Sequence, residues 1–245
     1  MIGGWKMQRE KFESKMSLVA GSSFIYRVNH RIMEGDCQVD HGPKVMEIKS
    51  FFADIYPVTN LQYGYFLEET GYWPEDDTNF LRHWEGKKCP ENLEKHPVTW
   101  ISLADAWAYA KYRDCRLPTE FEWQFMAGGE ERLKYPWGNQ FIEKHSNSRN
   151  KETTPVDAYP MGKGPYGQWD LCGNVWEWTD SKTFDGQHYF ALLRGGSYYV
   201  APHFWHTEGG GQPNDFHLKM PLLNEALNRC STIGFRCVRT NEEED

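Results

Sequence analysis

The chain has 245 residues, of which 39% are hydrophobic and 16% aromatic, with 11 Trp and a net charge of −8. That length holds one large domain or two small ones, and the acidic balance argues against a nucleic-acid backbone as the main partner. No run approaches the roughly 20 apolar residues that span a bilayer, so a membrane is not expected as a partner either.

In chain order, residues 1–15 read as a loose or helical lead-in with no apolar stretch of the signal-peptide kind. Residues 16–58 read as strands and loops, with the short apolar runs Ser17–Ala20 and Val45–Ile48 bounded by polar or turn residues. Three helix starts follow, each a Ser or Thr with an acid or amide three residues on: Thr59 with Gln62, Ser102 with Asp105, and Thr119 with Glu122. The spacing predicts helices to about Thr70 (ended by Gly71), to about Arg113, and to the stop at Gly128-Gly129. Ala106, Trp107, Ala110 and Arg113 are expected on one packed face of the second helix. Beyond residue 130 Gly, Pro and Trp recur without helical period, so aromatic packing or a metal is expected to order the loops. The last residues, 241–245, form an acidic tail. No linker-like break interrupts residues 16–240, which favours one domain there.

The densest signal is the run from Tyr166 to Thr179, Tyr-Gly-Gln-Trp-Asp-Leu-Cys-Gly-Asn-Val-Trp-Glu-Trp-Thr. Its crowding of indoles, turn residues and acids is neither the pattern of a helix nor that of an ordinary strand. Glycines permit a tight turn, Asp170 and Glu177 offer the hard oxygens that calcium takes, and the indoles fix the backbone by burial. The run is followed by Leu193-Arg194-Gly195-Gly196-Ser197-Tyr198 and Ile233-Gly234-Phe235-Arg236-Cys237. It is preceded by Tyr56–Asn60, His96–Trp100, Arg116–Trp123, Tyr135–Asn139 and Pro155–Asp157. In order and spacing these motifs resemble the sulfatase-modifying-factor family, typified by formylglycine-generating enzymes, over about residues 16–239.

The resemblance implies an α+β, C-type-lectin-like fold, rich in irregular structure. It implies a structural calcium held by carbonyls of Asp170, Gly173 and Val175 and by the Glu177 side chain. Between two indoles an uncompensated Glu177 charge would be costly, which supports a cation there. A second family calcium site is incomplete: Asn147 fits its first ligand, but the later Asp-Gly-Phe is missing. Formylglycine-generating enzymes bind copper(I) through two cysteines just after Gly-Gly-Ser-Tyr, and thiolates suit that soft ion. Val200 and Trp205 stand at those positions, so formylglycine formation by that route is not expected.

In their place stand His203, His206, Glu208 and His217, with Tyr198, Tyr199, Phe204 and Trp205 as expected walls of a substrate groove. Two histidines and a carboxylate make a facial triad for non-haem iron. A metal-dependent oxidoreductase with altered chemistry is therefore one expectation, with His203, His206 and His217 as reactive residues and Glu208 as a further iron ligand. The bland alternative is that these histidines are hydrogen-bonded pocket residues and the chain is a non-catalytic module binding a peptide or glycan. Either reading implies a peptide or small-molecule ligand. Gly209–Gly211 is expected as a flexible loop or a close backbone approach, and Arg194 and Arg236 as structural hydrogen bonders. The six cysteines include no Cys-x-x-Cys. The disulfide partner that relatives would give Cys237 falls at Ala110, and another half-cystine position falls at Ala127. Reduced thiols and a cytoplasmic location are expected.

Overall fold

Three capping boxes set the helical part of the chain. In the computed structural model, which describes residues 14–29, 33–34, 37–38, 41–200 and 209–242, helix α1 spans Asn60–Thr70, α2 spans Leu103–Tyr112 and α3 spans Glu120–Gly128. Thr59, Ser102 and Thr119 each accept the N–H three residues on, and Gln62, Asp105 and Glu122 answer to the cap's own N–H. Two orphan donors are satisfied at each start, which is why the spacing located all three helices. Gly71 takes a left-handed φ of 66° and closes α1 on Leu67 O. On α2 the expected face is split: Ala106 and Ala110 are buried, whereas Trp107 donates to Asp180 Oδ1 at 3.0 Å and Arg113 pairs with Asp54 at 2.9 Å.

The N-terminal strands are β1 Met16–Val19, β2 Ser22–Val28, β3 Met33–Glu34, β4 Cys37–Gln38, β5 His41–Ile48 and β6 Phe51–Asp54. Later come β7 Trp176–Phe184, β8 Tyr189–Arg194, β9 Leu218–Pro221, the short helix α4 Glu225–Asn228, β10 Ile233–Gly234 and β11 Val238–Thr240. One sheet has the order β1-β6-β11, another β10-β7-β8-β9, and β2 pairs with β5. In β2 every second residue, Phe24, Tyr26 and Val28, is buried. These side chains meet α3, with Tyr26 edge-on to Phe121 at 4.7 Å and Phe24 near Phe125 at 5.3 Å.

The Trp-rich run corrects an expectation. Its last four residues open β7, Trp176–Phe184, the longest described strand. Over Trp176–Thr179 the letters alternate, but Glu177 and Thr179 are as deeply buried as the two indoles, whereas Asp180, Lys182 and Phe184 are exposed. Trp176 and Trp178 enter the core shared with α1 and α2, while Glu177 turns the other way and accepts from Trp123 of α3. Helix α3 is thus wedged between the β2–β5 ribbon and the β7–β8 pair, with Trp123, Phe125, Met126 and Ala127 all buried. Among the described residues no helix is long and apolar enough to cross a membrane.

Candidate functional site

The turn before β7 is a buried polar knot. Asp170 and Asn174 take left-handed φ values of 56° and 62°, which short polar side chains tolerate. Gly173, at φ 84°, is pressed so close to residue 147 that a Cβ would lie 2.4 Å from Asn147 O. The Asn174 amide stitches this turn to the 147–154 loop. Its Nδ2 donates to Asp170 Oδ2 at 2.8 Å and to Thr154 O, and its Oδ1 accepts from Asn147 Nδ2 and from Thr154 N.

The charge of Glu177 is compensated within the protein. Arg236 grips the carboxylate with two nitrogens, Nε to Oε2 at 2.8 Å and Nη2 to Oε1 at 2.6 Å, and Trp123 Nε1 donates to Oε2 at 2.7 Å. All three side chains are fully buried. The sequence-based reason for a cation at Glu177, an uncompensated carboxylate, therefore falls away. Between this turn and the 147–154 loop, Asp170 Oδ1 and Asn147 Oδ1 are left without a donor. Burial pushes the Asp170 carboxyl up to about 7, against the Asn174 hydrogen bond and the Arg236 charge, which lower it. Asp170 Oδ1 and Asn147 Oδ1 are the hard oxygens here that a calcium-type ion would take, since Glu177 is occupied by Arg236 and Trp123. Gly173 and Val175 are buried in the same turn.

A second cluster surrounds the first turn of α3. Glu120 Oε2 accepts from Arg194 Nη2 at 2.9 Å and hydrogen-bonds His217 Nδ1 at 2.9 Å. Burial alone would raise this carboxyl. The His217 hydrogen bond and the Arg194 charge outweigh it and hold the group at about 2. Arg194 also donates to the carbonyls of Asn214 and Phe216, so Arg194 and Arg236 are the structural bonders that the sequence suggested. His217, expected among the reactive residues, is 3% exposed and is a buried partner of Glu120. Glu120 went unnoticed in the sequence, although its spacing from Trp123 and Ala127 places it on the buried face of α3.

The Gly-Gly-Ser segment is tied by backbone hydrogen bonds to Gly210–Gln212. Ser197 N donates to Gly210 O at 3.1 Å, Gly210 N to Tyr199 O at 2.9 Å, and Gln212 N to Gly195 O at 3.0 Å. The glycines serve close backbone approach: Cβ atoms on Gly196 and Gly210 would lie 2.3 Å from Gly210 O and 2.6 Å from Ser148 O. Tyr198 is buried with its hydroxyl 3.2 Å from Ser231 Oγ, whereas Tyr199 and Val200 face solvent. His203, Phe204, Trp205, His206 and Glu208 lie outside the described residues. Among the described residues no three His, Cys, Asp or Glu side chains converge as a metal site. Beneath Gly211 lies the thiol of Cys172, fully buried and pushed up to about 12 by that burial. It is an inert thiol, since nucleophilic and metal-binding cysteines act as thiolates. Cys89, Cys115, Cys172, Cys230 and Cys237 are all free.

Comparison with known proteins agrees with this architecture. A family model described as the sulfatase-modifying factor enzyme 1-like domain matches residues 5–241. The chain is 30% identical over 198 residues to the Bacillus subtilis protein YfmG, covering 62% of this chain but 41% of YfmG, so it spans less than half of that relative's length. It is 30% identical over 246 residues to the mouse protein named inactive C-alpha-formylglycine-generating enzyme 2, covering 80% of this chain and 77% of the relative. It is 27% identical to hercynine oxygenase of Mycolicibacterium smegmatis, over 76% of this chain and 54% of the other. Among solved structures, PvdO from Pseudomonas aeruginosa superposes with a TM-score of 0.68 at 20% identity, covering 92% and 94% of the two chains. The fold is thus the α+β, C-type-lectin-like fold of formylglycine-generating enzymes. The chain belongs to the sulfatase-modifying-factor family, as a member without the copper-binding cysteine pair.

Proposed function

We propose that this protein is an oxidoreductase of the formylglycine-generating enzyme superfamily whose chemistry rests on a metal other than thiolate-bound copper. The observation that carries the reading is the clamp between Gly195–Tyr199 and Gly210–Gln212. The chain between its two halves carries His203, His206 and Glu208, at the sequence positions where relatives carry their reactive cysteines. Two imidazoles and one carboxylate suit iron(II) better than they suit copper(I). Iron held there would supply one-electron and dioxygen chemistry. The chain's own part is to fix the segment's two ends at the Tyr199–Gly210 hydrogen bond and to present Tyr199 beside it for a peptide or small-molecule substrate. His217 would act at a distance, through its hydrogen bond to Glu120 and that residue's pair with Arg194. The likeness to hercynine oxygenase supports redox chemistry. The structural calcium proposed with it would sit at Asp170 Oδ1 and Asn147 Oδ1. The five free thiols fit a reducing, cytoplasmic setting.

Metal analysis of tag-free protein from iron-replete cells tests this reading. Stoichiometric iron is expected, lost in a His203→Ala/His206→Ala variant whose melting temperature is unchanged. Protein without a redox metal would sink the reading. It would leave a non-catalytic ligand-binding module; the mouse relative's name likewise marks that protein as inactive.

A further inference from the structure

The Asp170–Asn174 turn is bonded directly to the clamp between Gly195–Tyr199 and Gly210–Gln212. Gly173 N donates to Gly195 O at 2.9 Å, and Tyr198 N donates to Asn174 O at 3.1 Å. Gly195 O also accepts from Gln212 N, so one carbonyl joins the turn to both halves of the clamp. From the 147–154 loop, Asn147 O accepts from Asn174 N at 2.8 Å, and the next residue, Ser148, lies against the 210–211 backbone. These contacts have no slack: a Cβ on Gly211 would lie 2.7 Å from Cys172 Sγ and 3.2 Å from Ser148 Oγ. Interiors packed this closely transmit a displacement instead of absorbing it.

Asn174 stands between the open oxygens and the clamp. Asp170 Oδ1 and Asn147 Oδ1 belong to side chains whose other polar atom is bonded to the Asn174 amide. That amide also bonds Thr154 N and Thr154 O, so both its N–H groups and both oxygen lone pairs are taken. The residue is fully buried. A cation that draws in either Oδ1 therefore moves a group that Asn174 holds by the opposite atom. Asn174 has no further partner to turn to, and its main chain carries the shift to Tyr198 N.

We propose that a hard cation at Asp170 and Asn147 tightens the clamp of Gly195–Tyr199 on Gly210–Gln212, with Asn174 as the coupling residue. The coupling rests on the calcium reading and is independent of iron. Calorimetric titration of the chelator-stripped full chain with calcium, beside residue-resolved amide exchange of the same samples, tests it. The amides of the β2–β5 ribbon, across α3 from the β7–β8 pair, register the change due to overall stabilisation. Saturable calcium binding is expected. The amides of Ser197, Tyr198, Gly210 and Gln212 are expected to slow by about fivefold or more beyond the change in the ribbon. Asn174→Gly keeps the main-chain N–H and C=O and tolerates the left-handed φ, but lacks the amide; the excess slowing is expected to vanish there. Calcium binding without excess slowing would overturn the coupling and leave the cation site standing. Absence of calcium binding would overturn both. Excess slowing that persists in Asn174→Gly would overturn the part given to Asn174.

Discussion

Glu177 and Arg236 show how one residue's partner changes its meaning. Read alone, a glutamate between two tryptophans calls for a cation, and a metal is one way to supply it. The protein supplies a guanidinium instead, in two-point geometry with Trp123 as third donor. Removing one member of a buried pair leaves the other charged and unsolvated, which costs about 3–5 kcal/mol. Glu177→Gln is therefore expected to lower unfolding stability by that order, measured by denaturant titration. A loss below about 1 kcal/mol would mean that Arg236 finds another partner. At the same scale, Val200 and Trp205 carry no sulfur, and Cys172 is buried beneath Gly211 as a thiol. Copper(I)-loaded protein is expected to leave the mass of a sulfatase-type cysteine peptide unchanged. Aldehyde formation would show that another group replaces the thiolates.

At the scale of elements, the first turn of α3 is where titration should register. Glu120 has a folded-state pKa of about 2, below the ordinary 4.5, so the folded state binds fewer protons than the unfolded one across that interval. Its contribution is fully present above about pH 4.5 and is lost as pH falls through about 2, to a total of about 3 kcal/mol. Glu120→Gln should therefore lower stability at neutral pH and flatten the dependence between those limits, as followed by urea midpoints against pH. Parallel acid curves for the two proteins would place the linkage elsewhere. The turn from Asp170 to Glu177 makes a second element-scale test. If a hard cation sits at Asp170 Oδ1 and Asn147 Oδ1, a chelator should lower the melting temperature by several degrees, since about 2.7 kcal/mol accompanies a ligand at a hundred times its Kd. Asp170→Asn should abolish that sensitivity. An identical melting curve with and without chelator would leave the turn held by Asn174 and packing alone.

For the whole molecule, β6 is the joint. It pairs antiparallel with β1 on one side and with β11 on the other, so strands from opposite ends of the sequence share one backbone. Arg236 lies just before β11 and also donates to Asp54 O and Trp169 O. The C-terminal strand thus completes both the sheet and the polar knot. Deletion from Val238 onward would expose Phe51 and Ala53 and strip β6 of one ladder. Loss of the cooperative thermal transition is expected. A truncated chain that still melts sharply within a few degrees of the full one would show that β11 is dispensable.

The sequence by itself determined what is local. The helix starts were legible because a capping box is a contact between residues three apart, and Gly71 because a left-handed cap needs no distant partner. The family was legible because motif order survives in the letters, as was the missing thiol pair. The strand at Trp176–Phe184 was harder to see, since both faces of its first half, Trp176–Thr179, are buried and its glutamate looked like a ligand. What only the tertiary structure decided is which charges neutralise one another. Glu177 and Arg236 stand 59 positions apart, and Glu120 and His217 stand 97 apart. No spacing rule reaches such distances. Desolvation makes each buried charge dependent on its partner, so the roles of Glu177 and His217 were fixed only when β10, β11 and α3 brought those partners together.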